Sequence, residues 1–425
     1  MNRRPAHEPT RNFSPSPRLQ DDAQRNARWL GCRGCPDFKA CGGLHTEADI
    51  FDCGDLCSCA DQEACDMVCR RKPLAFFERL MEIGGFDLET TPRVAPVVAP
   101  NLPDHVPLVG HRYSRAGTLA EHVVAVPLYE LFHMGTGEPH VRSRAELAKR
   151  FLVPDDALVI ATGVDRDFKV ERWWEFADRT KVMQVLRDLG IALVTTPNFS
   201  LFTNVPRPDN LHGMKRIALS WAELMAAGIP AALHLNARTN FDYARWTQFI
   251  AARPEVEIVA FEFGTGAGHP NRIEWHVERL CALADAAGRP LMLVLRGGVR
   301  MLSRLRVAFA QVILIETEAF SRALKRRRAT ITESGRLRWL HMPTPKGEPI
   351  DALLAHNIGT VRSALSSPAP VMRNTSRRER GAVRCQAANA DRQPGQPSFM
   401  AELDASLQAG AVTANRERVI VAAKA

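Results

Sequence analysis

Residues 231–264, AALHLNARTNFDYARWTQFIAARPEVEIVAFEFG, decide the fold. A short apolar run (AALHL) leads into YARWTQFIAARP (243–254), whose apolar residues recur at helical spacing, and a second apolar run (VEIVAFEF) follows. A strand, a helix and a strand within about 30 residues make a βαβ unit. Neither strand alternates cleanly between apolar and polar side chains, so both faces are expected to be buried, as in a parallel sheet covered by helices.

Outward from this unit the pattern repeats. Apolar, often β-branched runs occur at 122–128, 157–163, 191–199, 231–237, 256–264, 290–298, 311–317 and 336–342. Segments of helical periodicity separate most of them, including RTKVMQVLRDLG (179–190), MKRIALSWAELMAAG (214–228) and IEWHVERLCALADAAG (273–288). Gly190, Gly228 and Gly288 each close such a segment just before the next strand, where a helix commonly stops. Eight strands spread over about 220 residues fit an α/β fold, a (β/α)8 barrel of the TIM type. A doubly wound open sheet is the alternative, because closure is not written in a sequence.

The flanks read differently. Residues 1–27, rich in Pro, Arg, Ser and Asn, are expected to be a disordered tail. Residues 28–72 hold a Cys-rich metal module. A connecting region (73–121) contains a helical stretch at 74–83 and a Pro- and Val-rich extended stretch at 92–107. The barrel domain is expected over 122–365, and an Ala-, Arg-, Gln- and Pro-rich disordered basic tail over 366–425. The formal charge of +9 over 425 residues belongs mostly to the ends. Six Arg face three acids in residues 1–30, and nine basic residues face five acids in 366–425, which leaves the body nearly neutral. The tails can make weak, salt-sensitive contact with nucleic acid, but the charge does not make the body a nucleic-acid-binding domain. No apolar run approaches the ~20 residues of a bilayer span, so no membrane partner is expected. The Met1-Asn-Arg-Arg-Pro start has no apolar region of a secretory signal, and the expected location is the cytoplasm.

The cysteines carry the strongest chemical signal. Eight of ten fall within residues 32–69, spaced Cys32-x2-Cys35-x5-Cys41-x11-Cys53-x3-Cys57-x1-Cys59-x5-Cys65-x3-Cys69. In a reducing compartment such thiols are free to become thiolate ligands. CPDFKAC (35–41) and CADQEAC (59–65) share a gap, an Asp and a terminal Ala-Cys, and each has another Cys shortly before it. This echo points to one or two sites of four thiolates, suited either to zinc or to a 4Fe–4S iron–sulfur cluster. The partition Cys32/Cys35/Cys41/Cys53 and Cys57/Cys59/Cys65/Cys69 is one of several.

GCRGCPDFKACGG (31–43) resembles the auxiliary iron–sulfur motif of SPASM-type radical enzymes, and Cys59-x5-Cys65-x3-Cys69 matches the later part of that pattern. The resemblance covers about 40 residues of 425 and implies 4Fe–4S clusters. It departs where such enzymes carry Cys-x3-Cys-x2-Cys after the first barrel strand. Here Cys53-x3-Cys57 is followed by Cys59 and precedes the strands, so the radical chemistry is not carried over. TTPNFSLFTNVPR (195–207) is similar to a segment of uncharacterised phage- and plasmid-borne proteins, which implies no activity.

In a barrel of this kind the chemistry belongs to the C-terminal strand ends. The expected catalytic set there is His234, Asn236, Arg238, Glu262, Arg296 and Glu316. His234, Asn236 and Arg238 alternate and so share one face. Glu262 and Glu316 are carboxylates in apolar strands, where burial is costly without a partner, and Arg296 is a candidate partner. The loop GTGAGHP (264–270) can cradle a phosphate with its backbone N–H groups, through Gly264, Thr265, Gly266 and Gly268, although a simple turn explains the glycines equally well. These features point to a metalloenzyme acting on a small or phosphate-bearing substrate. The alternative is a non-catalytic nucleic-acid-binding protein of a mobile element, with zinc in the Cys module and the barrel as scaffold.

Overall fold

A computed structural model describes Val68 and residues 73–366, apart from residues 112, 113, 203, 204, 206, 271 and 346. All eight clustered cysteines, both tails and the expected Cys module up to residue 67 lie outside the described residues. The strands are β1 (His105–Pro107), β2 (Val123–Pro127), β3 (Leu158–Thr162), β4 (Leu193–Thr195), β5 (Ala231–His234), β6 (Ile258–Glu262), β7 (Met292–Arg296), β8 (Gln311–Glu316), β9 (Arg327–Ile331) and β10 (Leu337–His341). The helices are α1 (Pro73–Glu82), α2 (Arg144–Phe151), α3 (Asp167–Trp174), α4 (Arg179–Asp188), α5 (Arg207–Ala226), α6 (Asn240–Ala251), α7 (Ile273–Ala286), α8 (Leu302–Ala308), α9 (Glu318–Leu324) and α10 (Asp351–Ser366).

Strands β1 to β8 form one sheet in the order β1-β8-β7-β6-β5-β4-β3-β2, and every neighbouring pair is parallel. The two ends of this order meet at a parallel bridge between Leu108 and Ala125, where the Val109 N–H donates to the Ala125 carbonyl at 2.8 Å. The sheet is therefore a nearly closed, barrel-like cylinder, and the helix that follows each of β2 to β8 lies along the chain as the β/α alternation requires. Gly190, Gly228 and Gly288 all have positive φ (63°, 75° and 65°) at the ends of α4, α5 and α7, the left-handed stop for which glycine carries no Cβ penalty.

Two apolar clusters share the fold. The inner one, including Val106, Ala125, Ile160, Leu193, Ala232, Ala260, Val294 and Ile313, fills the cylinder. The outer one, including Val124, Val159, Val194, Leu233, Val259, Leu293 and Leu314, packs the strands on the helices. Adjacent strand residues thus enter different clusters, the period of two that a strand imposes, although both faces are apolar. Trp173, fully buried on α3, anchors the outer layer against Tyr129, Phe132 and Phe176. Cys281 packs, 7% exposed, on α7.

The expected eighth strand at 336–342 is not part of this sheet. It is β10, paired antiparallel with β9 in a separate hairpin, half exposed along its length and turned at Gly335 with φ 73°. The eighth barrel strand is instead β1, from the stretch read as an extended connector. β1 is buried at all three positions, but its brevity and the flanking Pro103 and Pro107 hide it, since proline weakens a strand reading. The connector also holds Lys215 in place. That lysine, fully buried on α5, donates through Nζ to the Asp87 carbonyl at 2.6 Å, Thr90 Oγ1 at 2.7 Å and Thr91 Oγ1 at 3.2 Å.

Candidate functional site

Strand parity builds the site. On β5, β6 and β7, Ala232, Ala260 and Val294 belong to the inner cluster. Two residues further, on the same face, stand His234, Glu262 and Arg296, the last residue of each strand. Thr162 and Thr195 end β3 and β4 at the same phase, two residues beyond Ile160 and Leu193. Five neighbouring strands therefore place a polar side chain in one layer at the C-terminal mouth of the cylinder. Above it opens a cavity of about 540 Å³, lined by the loops after β3, β4, β5 and β6 and by the start of α7.

Glu262 and Arg296 occupy paired positions of β6 and β7. Their Oε2 and Nε atoms lie 3.2 Å apart, ion-pair distance without the alignment of a hydrogen bond. Glu262 Oε1 accepts from the Gly264 N–H, and Arg296 Nη1 donates to the Val164 carbonyl at 3.1 Å. Burial raises the pKa of Glu262, while Arg296 and the Gly264 N–H pull it down; the net effect lets it hold a proton to higher pH than an exposed glutamate does. His234 is 2% exposed, and neither ring nitrogen has a hydrogen-bond partner among the described residues. Burial, assisted by the Arg296 charge, pushes its pKa down to about 3, so the imidazole is neutral at neutral pH.

Asn236 and Arg238 hold the rim loops together. Asn236 Nδ2 donates to Asn198 Oδ1 at 3.0 Å and to the Phe199 carbonyl at 2.9 Å. Arg238 Nε donates to the Leu201 carbonyl at 2.7 Å, and its backbone N–H donates to Asp242 Oδ2 at 2.7 Å. Asp242 also completes a capping box with Thr239 at the start of α6, the local reason the chain turns into a helix here. The Asn236 and Arg238 side chains line the cavity with His234 and Glu262, as their alternation implies.

The glycine-rich loop divides. Thr265 and Gly266 line the cavity, whereas Gly264 and Gly268 do not. A Cβ on Gly268 would overlap the Phe263 carbonyl oxygen, and one on Gly264 would overlap Glu262 Oε1. These two glycines serve close packing of the loop.

Glu316 is not brought to the cavity. It follows Val312 and Leu314 in phase, and both belong to the outer cluster. Its Oε1 accepts from the backbone N–H groups of Glu318 and, at 2.9 Å, Ala319, so it closes the first turn of α9. Burial raises its pKa to about 7 despite those two N–H groups, with Glu318 adding to the rise.

One cavity residue has no signal in the strand pattern. His276, fully buried on α7, lines the cavity beside Phe261 and Glu262. It sits in a segment that reads simply as an amphipathic helix. Arg272, the residue preceding α7, lines the cavity too; a basic residue just after a Gly-rich loop was the available hint.

No protein-family model matches this chain, and no curated protein matches it. Among the described residues no group of three or more His, Cys, Asp or Glu side chains is placed to hold a metal ion, and no helix is long and apolar enough to cross a membrane.

Proposed function

We propose that the chain is a metalloenzyme on a TIM-type (β/α)8 barrel, acting at the mouth cavity on a small or phosphate-bearing substrate. The observation that carries this reading is the convergence of buried His234 and Glu262 and half-buried Arg296, from three adjacent strands, on one layer beneath the cavity. Perturbed titratable groups gathered in a cleft are the mark of acid–base chemistry. In this reading Glu262 moves the proton, since burial has already lifted its pKa. Arg296 orients it, neutral His234 hydrogen-bonds the substrate, and Arg238 and Arg272 make the rim attractive to anions.

The eight thiols of residues 32–69 are of the donor type that holds a 4Fe–4S cluster or zinc. The Val68 N–H donates to Asp209 Oδ1 at 3.1 Å, in the first turn of α5 just after the cavity-lining Phe202. An iron–sulfur cluster would supply electrons and zinc would supply a structural tie; neither is needed for the roles assigned to Glu262 and Arg296. A cytoplasmic, reducing environment suits either.

The test has two arms. Anaerobically purified full-length protein is expected to carry stoichiometric iron with acid-labile sulfide, or zinc, and metal-free protein refutes the metal assignment. A phosphate-ester panel followed by turnover is expected to find a substrate on which Glu262→Gln loses about a hundredfold or more in rate, the scale of a lost general acid or base; unchanged turnover by that variant refutes the site.

A further inference from the structure

Among the described residues, a buried hydroxyl–imidazole pair is left unused by the roles above. Tyr243 on α6 and His276 on α7 are both fully buried, and the Tyr243 hydroxyl lies 2.8 Å from His276 Nδ1. Aromatic rings clamp the imidazole. Trp275 and Phe261 stand 4.8 Å and 5.3 Å from its centroid, and Tyr243 itself stands at 6.0 Å. The ring has little freedom to turn. Its other nitrogen, Nε2, is buried without a hydrogen-bond partner among the described residues, on a residue that lines the cavity.

Hydrogen-bond counting settles the tautomer. Among the described residues the Tyr243 hydroxyl makes no other hydrogen bond, so its proton goes to His276 Nδ1 or is left without an acceptor. If Nδ1 carried the ring proton, that proton would take the phenol oxygen, and both the phenolic proton and the Nε2 lone pair would be orphaned in the interior. If the phenol donates to Nδ1, the ring proton resides on Nε2 and one group alone lacks a partner. Each orphaned buried polar group costs about 1–3 kcal/mol, so the second arrangement prevails. The ring also resists a second proton. Burial lowers its pKa well below the ordinary histidine value, the Arg272 and Arg238 charges lower it further, and the start of α7 disfavours a cation.

Building on the cavity as a binding site, we propose that His276 donates a hydrogen bond from Nε2 to an oxygen of an anionic, phosphate-type ligand, with Tyr243 as the positioning residue that fixes its tautomer. A neutral donor of this kind neither takes up a proton from the ligand nor needs a counter-ion when the cavity is empty. It thereby complements Glu262, which supplies the mobile proton. The ligand's negative charge is favoured by Arg238 and Arg272 at the same rim, while His276 contributes direction.

The test is a nitrogen-15 histidine spectrum of the full-length protein, with His276 and His234 assigned from His276→Gln and His234→Gln. The expected result is a His276 ring protonated at Nε2 and unchanged between acidic and mildly alkaline pH, whose Nε2 resonance moves on addition of inorganic phosphate. Tyr243→Phe is expected to mix the tautomers and to weaken phosphate about fivefold to tenfold, the loss of one hydrogen bond. A ring protonated at Nδ1, or one that titrates in the ordinary histidine range, overturns the proposal without touching the cavity reading. Phosphate that moves His234 but not His276 also overturns it and leaves the cavity as the site. Phosphate that moves neither overturns both. The wild-type spectra carry these outcomes, and if His276→Gln or His234→Gln fails to fold, through-bond sequential assignment of the wild-type ring nitrogens identifies the same two resonances.

Discussion

Replacing Glu316 by Gln tests whether that carboxylate belongs to the chemistry or to the scaffold. The side chain is 6% exposed, its Oε1 accepts from two N–H groups at the start of α9, and its Oε2 is buried without a hydrogen-bond partner among the described residues. Burial, with Glu318 nearby, carries its pKa from 4.5 to about 7. The folded state therefore binds more protons than the unfolded state between those two values, and stability falls as pH rises through that window. At about 1.4 kcal/mol per pH unit the fall amounts to roughly 3 kcal/mol once pH exceeds 7. Glutamine keeps the accepting oxygen and never ionises. Its buried amide lacks an acceptor, which returns about 1 kcal/mol of that gain. Glu316→Gln is thus expected to be more stable than wild type by about 2 kcal/mol at pH 8, slightly less stable at pH 4.5, and equal near pH 5 to 6. Urea unfolding of both full-length proteins across pH 4.5 to 8, compared at each pH, measures the difference directly. Two parallel stability curves would refute the reasoning, because they would mean that the carboxyl ionises alike in the folded and unfolded chain.

Two further outcomes follow from packing and from the buried lysine. Gly268→Ala forces a Cβ onto the Phe263 carbonyl oxygen and is expected to destabilise by about 1–3 kcal/mol while shifting the cavity-lining loop, whereas Gly359→Ala at an exposed position of α10, where nothing lies within 4 Å of the new methyl, should gain about 0.5–1 kcal/mol from helix propensity; thermal melts separate them, and equal melting points refute the close-approach account. Burial lowers the Lys215 pKa from 10.5 to about 8, with Asp87 opposing and Arg253 and Arg245 assisting. The unfolded chain then binds more protons between those values, so wild type should gain up to roughly 3 kcal/mol on Lys215→Met as pH rises from 8 towards 10.5. A constant difference across that range, read by urea titration, refutes the shift.

The residue pattern already contains most of the sheet. Seven of the apolar runs are β2 to β8 because parallel strands covered on both sides must be apolar at nearly every position, which leaves an unbroken run in the chain. The positive-φ glycines after α4, α5 and α7 are legible for an equally local reason. So are His234, Glu262 and Arg296 as unusual polar residues in apolar strands, together with the alternation that brings Asn236 and Arg238 to the same cavity.

Partner, phase and face are not local properties, and the tertiary structure alone decided them. β10 has the composition of a strand, but only its half-exposed surface and antiparallel partner show that it lies outside the cylinder; β1 is three residues long and ends on Pro107, and only its pairing with β8 makes it the closing strand. Glu262 and Glu316 look alike in sequence, each a carboxylate ending an apolar strand. A buried strand has no polar face to mark its phase, so the chain does not state which carboxylate enters the cylinder and which meets a helix. His276 shows the same limit from the helix side. Its place on an amphipathic face is local, but its approach to Tyr243 and to the cavity depends on how α6 and α7 pack. The sequence by itself determined the alternation of elements, because backbone hydrogen bonding and burial act within each segment. The tertiary structure determined the site, because it depends on which segments the nearly closed sheet sets side by side.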